Sequence, residues 1–338
     1  MYDSMSGVTV VELAGTRSAG FAGKLLADVG ATVVRVAAEP PDPYLDLRKV
    51  STRSEPEALL PGAHVLLTDL GPEELAARGL APERLREGFP GLVVTLLSPL
   101  GRTGARSSWR AGEVAMQAVS GLMHLTGYPD REPLAAPYAL GALQLGISGA
   151  GATAAAVLRA RREGTGALVE ISGAEVLASY VRIYGAVGQY YDIELRRDGH
   201  RAPGSGGRWP FGIFPCKDGH VALIARTAAE WDRFVEMLGS PAWASEPRYT
   251  DDRAMAMDYP DEVDALVIPW LMMRTRDELL ALAHTHRIPM APVRRVNELT
   301  DDVQMRYRDF FEETTAPDGR AVTVPGRPWV ETVTAPPM

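Results

Sequence analysis

Two stretches of this chain hold side chains whose types and spacing could do chemistry. The first is the turn Gly15-Thr-Arg17-Ser-Ala-Gly20-Phe-Ala-Gly23-Lys24, which follows an apolar run and opens a helical stretch, a setting in which backbone amides cradle phosphates. A phosphate loop would need glycine at Ser18 and a hydroxyl at Leu25, and a dinucleotide fingerprint would need glycine at Arg17; none is present. What the turn offers is the guanidinium of Arg17, placed in the crevice where open α/β sheets bind ligands and suited to a phosphate or carboxylate. The second stretch is His200-Arg201-Ala-Pro-Gly204-Ser-Gly206-Gly207-Arg208, whose glycines predict a mobile loop or a domain junction. His284 and His286 form H-x-H, but residues two apart on a helix point about 200° apart, so no metal site is expected. Cys216 is the only cysteine, which excludes an intrachain disulfide and a cysteine-based zinc site and predicts a small buried hydrophobe.

The elements that must position these groups are legible from the apolar pattern. Val8–Leu13, Thr32–Val36, His64–Leu67 and Leu92–Leu97 are continuous apolar runs of the kind covered on both faces of a parallel sheet. Helical stretches at Ser18–Val29, Glu73–Arg78 and Pro82–Arg86 lie between them, so the first ~100 residues predict a doubly wound α/β unit. Further on, Ala167–Ser172 predicts a strand, and Phe211–Phe214 with His220–Ala225 a hairpin around Asp218-Gly219. Helices follow at Ala228–Leu238, Asp261–Met273 and Arg276–His284, and the proline-rich tail from Ala316 is expected to be extended. Pro137–Leu158 is uncharged and about as long as the roughly 20 residues a bilayer requires. It is mostly glycine, alanine and serine, which predicts a helix buried among others or in a dimer core, not a membrane span.

Composition narrows the partners. At 46% apolar and 23% charged the chain is an ordinary globular protein, and its net charge of −8 excludes a general basic footprint for nucleic acid. Lys24, Lys49 and Lys217 are the only lysines among 35 basic residues, a skew toward arginine that fits a GC-rich genome. The opening MYDSMSGVTVVEL has neither a basic n-region nor a long apolar stretch, so a cytoplasmic location is expected.

Several segments, taken in order, resemble the family III CoA-transferases (CaiB/BaiF), which include formyl-CoA transferase and α-methylacyl-CoA racemase. GVTVVELAGTRSAGFAGKLLADVGATVVRV is similar to that family's first strand–helix–strand, with Leu25–Ala31 its most specific part. Ser98–Ala105 (SPLGRTGA), Met116–Pro133 (MQAVSGLMHLTGYPDREP), Arg161–Glu175 (RREGTGALVEISGAE), Phe211–Ala225 (FGIFPCKDGHVALIA) and Arg287–Val293 (RIPMAPV) continue the resemblance through the chain. It implies an α/β fold with a Rossmann-like large domain from both chain ends and a smaller α+β domain. The expected division is residues 1–200 (large), 201–295 (small) and 296–338 (returning to the large domain). It also implies an interlocked homodimer in which each ring-like subunit threads the other.

The departures from the family bear on mechanism. In the transferases a catalytic aspartate lies four residues before a glycine near the start of the central helix; matched through Gly146, that position is Ala142. The family's aspartate attacks the thioester, forms an acyl anhydride and then carries CoA, which a methyl group cannot do. The racemase relatives pair that aspartate with a histidine, and the histidine's position is Gly112. Between Glu39 and Ser54 the family's basic CoA-holding stretch is shortened, leaving Asp46 and Arg48 as its remnant CoA contacts. Neither Asp192 nor Glu175 is expected to reach the vacated position.

Other groups must then carry any chemistry. Glu113 falls at the aspartate position that follows the racemase histidine; it is a candidate acid–base group or else a helix-start charge. His124 is a candidate base or a cap on helix carbonyls. Tyr138 and Gln144 flank Ala142 and could orient a carbonyl. Gly204, Gly206 and Gly207 match the family's loop that closes over the acyl intermediate, or form a plain linker, and Arg208 after them hints at an anionic ligand. The resulting expectation is a diverged enzyme of a specialised biosynthetic pathway that acts on an acyl thioester, CoA- or carrier-bound, without an aspartyl anhydride. Isomerisation, cyclisation, elimination or acyl transfer would fit. CoA or its acyl thioester is then substrate, with no tightly bound cofactor and no metal. The alternative is a non-catalytic homologue that binds a thioester or partners an active subunit.

Overall fold

In the computed structural model, which describes residues 4–203 and 207–330, the apolar runs of the N-terminal half form one parallel sheet. Its strands are β1 (Thr9–Leu13), β2 (Thr32–Val36), β3 (Val50–Thr52), β4 (Val65–Thr68), β5 (Val93–Ser98) and β6 (Ala167–Ser172), in the order β3-β2-β1-β4-β5-β6. The order reverses between β1 and β4, which puts the ligand-binding crevice of this architecture outside their carboxyl ends. Side chains alternate between faces: Val10, Val65 and Leu67 join one core, Val11, Leu13 and Leu66 the other. Both faces of β1, β4 and β5 are therefore buried, which is why these strands read as near-continuous apolar runs, whereas β3 and β6 at the sheet edges are partly exposed.

The helices of this part are α1 (Arg17–Asp28), α2 (Pro56–Leu59), α3 (Pro72–Ala77), α4 (Pro82–Gly88), α5 (Glu113–Val119), α6 (Leu140–Glu163) and α7 (Gly173–Tyr180). By length and composition α6 could cross a bilayer, yet it packs along α1 and against β5 and β6. Its glycines make that approach possible. A Cβ at Gly146 would lie 2.8 Å from the Ser18 carbonyl oxygen and 3.1 Å from Phe21 Cβ, and one at Gly149 would lie 2.9 Å from Leu97. The helix ends at Gly164, whose φ of 72° is the left-handed conformation that suits glycine after a C-terminus.

The chain divides into two compact units. The first comprises residues 4–122, 136–181 and those from 300 onward; the second comprises 123–135 and 182–299. The second unit thus begins earlier than residue 201 and borrows a segment from before α6. It contains α8 (Arg182–Tyr191), the antiparallel sheet of β7 (Phe211–Cys216), β8 (Gly219–Ile224) and β9, and the helices α9 (Ala228–Met237), α10 (Asp252–Met257), α11 (Pro260–Met272) and α12 (Arg276–His286); β9 is Met290–Pro292. Trp209, Phe214, Trp231 and Phe234 form its aromatic core, with Trp209 meeting Phe214 and Trp231 edge-on at 5.8 Å each. Cys216 is buried there. Asp264 on α11 is buried and accepts from Trp209 Nε1 (2.8 Å), Arg201 Nη1 (2.5 Å) and His200 Nε2 (3.0 Å). Three donors on one carboxylate satisfy a charge that burial would otherwise make costly.

The chain then returns to the first unit through α13 (Val303–Tyr307) and a hairpin of β10 (Phe311–Thr315) and β11 (Ala321–Pro325). Within the tail expected to be extended from Ala316, residues 321–325 are the extended strand β11, which pairs back on β10. Asp318-Gly319, with Gly319 at φ 85°, turns the chain between them, the same Asp-Gly signal that marks the β7–β8 hairpin.

Candidate active site at the start of the small-residue helix

The backbone entering α6 is unusual before any side chain is considered. Tyr138 (φ 60°) and Ala139 (φ 57°) are consecutive non-glycine residues in the left-handed region, a conformation that costs each about 1–2 kcal/mol. Ala139 occupies the N-cap and provides no side-chain bond to the first turn. The orphan amides are met from α5: Glu113 Oε1 accepts the Gly141 N–H at 2.7 Å and Oε2 the Ala142 N–H at 2.8 Å. Gly141 must be glycine for this, since a Cβ there would lie 2.8 Å from Glu113 Oε1. Gln117, one turn along α5, donates to Glu113 Oε1 at 2.6 Å and to the Ala136 carbonyl at 3.1 Å, and accepts from the Ala136 N–H at 2.7 Å. Gln117 is 1% exposed and escaped the sequence-based selection; its only signal is the i,i+4 spacing from Glu113.

Ala142 itself is buried in the core shared by α1, α6 and the sheet. Helical geometry separates Ala142 and Gln144 by about 200°, so Gln144 lies instead on the flank with Gly141. There its Oε1 accepts the Tyr180 hydroxyl at 2.7 Å. Tyr138 stands just before the same turn and is 84% exposed. The start of α6 therefore carries two sets of contacts, Glu113 with Gln117 on the backbone N–H groups of Gly141 and Ala142, and Tyr180 on Gln144, while the Ala142 methyl turns into the core. His124 belongs to the second unit, in a short turn of 3-10 helix, with Nε2 3.6 Å from Glu194 Oε1.

The remaining candidates are distributed elsewhere. Arg17 is exposed at the start of α1 and has no carboxylate partner among the described residues. The turn beside it is already filled: Asp69, directly after β4, accepts the N–H groups of Gly15 (2.6 Å), Thr16 (3.2 Å) and Ala19 (3.1 Å) and the Thr16 hydroxyl. An internal carboxylate thus sits where an anion would bind a helix N-terminus. Nearby, burial pushes the Arg102 guanidinium down from its ordinary pKa. Arg48 pairs with buried Asp28 at 3.0 Å and with Glu312, while Asp46 pairs with Arg35 at 3.0 Å and Lys49 at 3.2 Å. Lys49 also reaches Glu12 at 2.8 Å; burial outweighs that partner and raises the Glu12 pKa to about 7. Asp46 and Arg48, the two residues expected to contact CoA, are thus both committed to partners within the chain. Gly204 and Gly206 lie outside the described residues. Gly207 is left-handed at φ 75°, and Arg208 pairs with Asp252.

Residues 42–336 match the profile of CoA-transferase family III. The chain belongs to that family. A succinate–glutarate CoA-transferase of Agrobacterium fabrum is 26% identical over 356 residues, covering 94% of this chain and 87% of that protein. Succinyl-CoA:(R)-benzylsuccinate CoA-transferase subunit BbsE of Thauera aromatica is 26% identical over 300 residues, covering 84% of this chain and 70% of that protein. The crystal structure of a CAIB/BAIF family protein from Brucella suis superposes with a TM-score of 0.84 at 21% identity, over 98% of this chain and 93% of that one. The superposition shows that the chain shares the fold of that CAIB/BAIF family protein.

Proposed function

We propose that this chain is a diverged family III enzyme of a specialised biosynthetic pathway that binds an acyl thioester and acts on it without an enzyme-bound acyl anhydride. The observation that carries this reading is at the first turn of α6. A buried methyl, Ala142, stands at the position matched to the family's nucleophile. The carboxylate on its amide, Glu113, spends both oxygens on backbone N–H groups. A carboxylate so engaged is a structural anion whose attack on a thioester would break the helix cap, so isomerisation, cyclisation, elimination or direct acyl transfer fits the site better. The names of the relatives, which transfer CoA between acids, support an acyl-CoA or the corresponding carboxylic acid as substrate. A homodimer fits α8, where Ile183, Tyr190 and Tyr191 are 61%, 82% and 72% exposed and would be covered by a second copy.

A second reading, a partner subunit that binds a thioester without turning it over, is favoured by the name of the Thauera relative, which is itself a subunit. Calorimetry with CoA and a panel of acyl-CoAs, followed by intact-mass spectrometry of the same samples, separates these readings from the family mechanism. Binding with no mass shift is expected. A covalent acyl or CoA adduct would refute the proposal, and turnover of a bound acyl-CoA would exclude the second reading.

A further inference from the structure

We infer that Tyr180 is a positioning residue that holds the Gln144 amide as a donor for the carbonyl oxygen of a bound thioester. This rests on the thioester reading above and names the group that the site recognises. The Tyr180 hydroxyl donates to Gln144 Oε1 at 2.7 Å. A primary amide is planar, so occupying its oxygen fixes the direction of its NH2 group. No described residue accepts from Gln144 Nε2, and the side chain is only partly buried, so a prealigned pair of N–H donors is open to a ligand. Donors aligned before the ligand arrives cost no reorganisation on binding.

The neighbouring charge selects which acceptor docks there. Gly141 and Gln144 are three residues apart and share one flank of α6, the flank facing α7, where a Cβ at Gly141 would lie 3.2 Å from Leu177. The Glu113 carboxylate lies against Gly141 on that flank. A free carboxylate brought to Gln144 would meet this anion, whereas the neutral carbonyl of a thioester would not. The flank therefore favours the acyl thioester over the free acid and over CoA, which has no acyl carbonyl.

Calorimetry on the full chain with acetyl-CoA, acetate and CoA tests this. Gln144→Ala should weaken acetyl-CoA about tenfold, close to the ~1.4 kcal/mol of one hydrogen bond, and leave CoA unchanged. Tyr180→Phe should weaken acetyl-CoA by a smaller factor, because the amide is retained but no longer oriented. Gln144→Glu preserves shape and controls for folding; its added anion should weaken acetyl-CoA at least as much as the alanine. The infrared stretch of acetyl-CoA labelled with 13C at the thioester carbonyl should lie lower on the wild-type protein than in water and return toward the free value in both Gln144 variants. Equal weakening of CoA and acetyl-CoA, or an unmoved carbonyl stretch, would overturn the role of Gln144 while leaving thioester binding intact. Failure of the wild-type protein to bind either CoA compound would overturn the thioester reading and this inference with it.

Discussion

Removal of the Glu113 carboxylate should unravel the start of α6, and the size of the effect follows from its bonds. Ala139 offers no side-chain cap, so the amides of Gly141 and Ala142 depend on Glu113. Loss of a helix N-cap costs about 1 kcal/mol, up to about 2. Loss of an anion beside the helix N-terminus adds about 0.3–1 kcal/mol. Gln117 is not orphaned, because Ala136 still accepts its N–H and donates to its oxygen. Glu113→Ala should therefore destabilise the chain by about 1.3–3 kcal/mol. Glu113→Gln keeps one acceptor but turns an NH2 toward a backbone donor, and should cost about 1–2 kcal/mol. Urea unfolding followed by circular dichroism measures both, with the midpoint expected to fall in the order wild type, Gln, Ala at constant slope. If Glu113→Ala unfolds within about 0.5 kcal/mol of wild type, the capping argument is wrong. If it does so while abolishing acyl-CoA turnover, Glu113 belongs to the chemistry instead.

Two further outcomes follow from the buried first unit. The Glu12 pKa of about 7 in the folded chain, against an ordinary 4.5, means that the folded state keeps a proton which the unfolded chain has released across that interval. Its contribution to stability therefore falls as pH rises from about 4.5 to about 7. The stability of Glu12→Gln relative to wild type should increase by on the order of 2–3 kcal/mol between pH 5 and 8, and a flat difference in chemical denaturation would show Glu12 ionised throughout. Gly146→Ala places a methyl 2.8 Å from the Ser18 carbonyl and should cost about 1–3 kcal/mol by forcing α6 from α1; an unchanged unfolding midpoint would show that the two helices separate freely.

Much of the fold was legible because its cause is local. A parallel strand covered on both faces is largely apolar, so β1, β4 and β5 announced themselves as near-continuous runs of valine and leucine; β2 and β6 were legible too, each strand within a residue or so of its final bounds, although one face of β6 is partly open. The Asp-Gly turn declared the β7–β8 hairpin for the same reason, and its counterpart at Asp318-Gly319 carried equal information that the prolines around it masked. The motif segments pointed to the family over nearly the whole chain, and the family profile matches residues 42–336.

The site was legible only as residue types. Spacing placed Glu113 at a helix start, but α5 is separated from α6 by a loop, and nothing local says which helix that carboxylate caps. The partners Gln117, Asp69 and Tyr180 were not legible because each acts across a gap of 19 to 54 residues that no local pattern spans: Gln117 on Ala136, Asp69 on Gly15, Tyr180 on Gln144. Arg48 shows the same limit from the other side, since its charge looked available until Asp28 and Glu312 were seen to take it. Which segments form strands and helices was readable from residue order alone, because burial and backbone geometry act on neighbours in the chain. Which charges are spent on partners and which remain open to a ligand emerged from the folded chain, because electrostatic pairing depends on distances that the packing of remote segments sets.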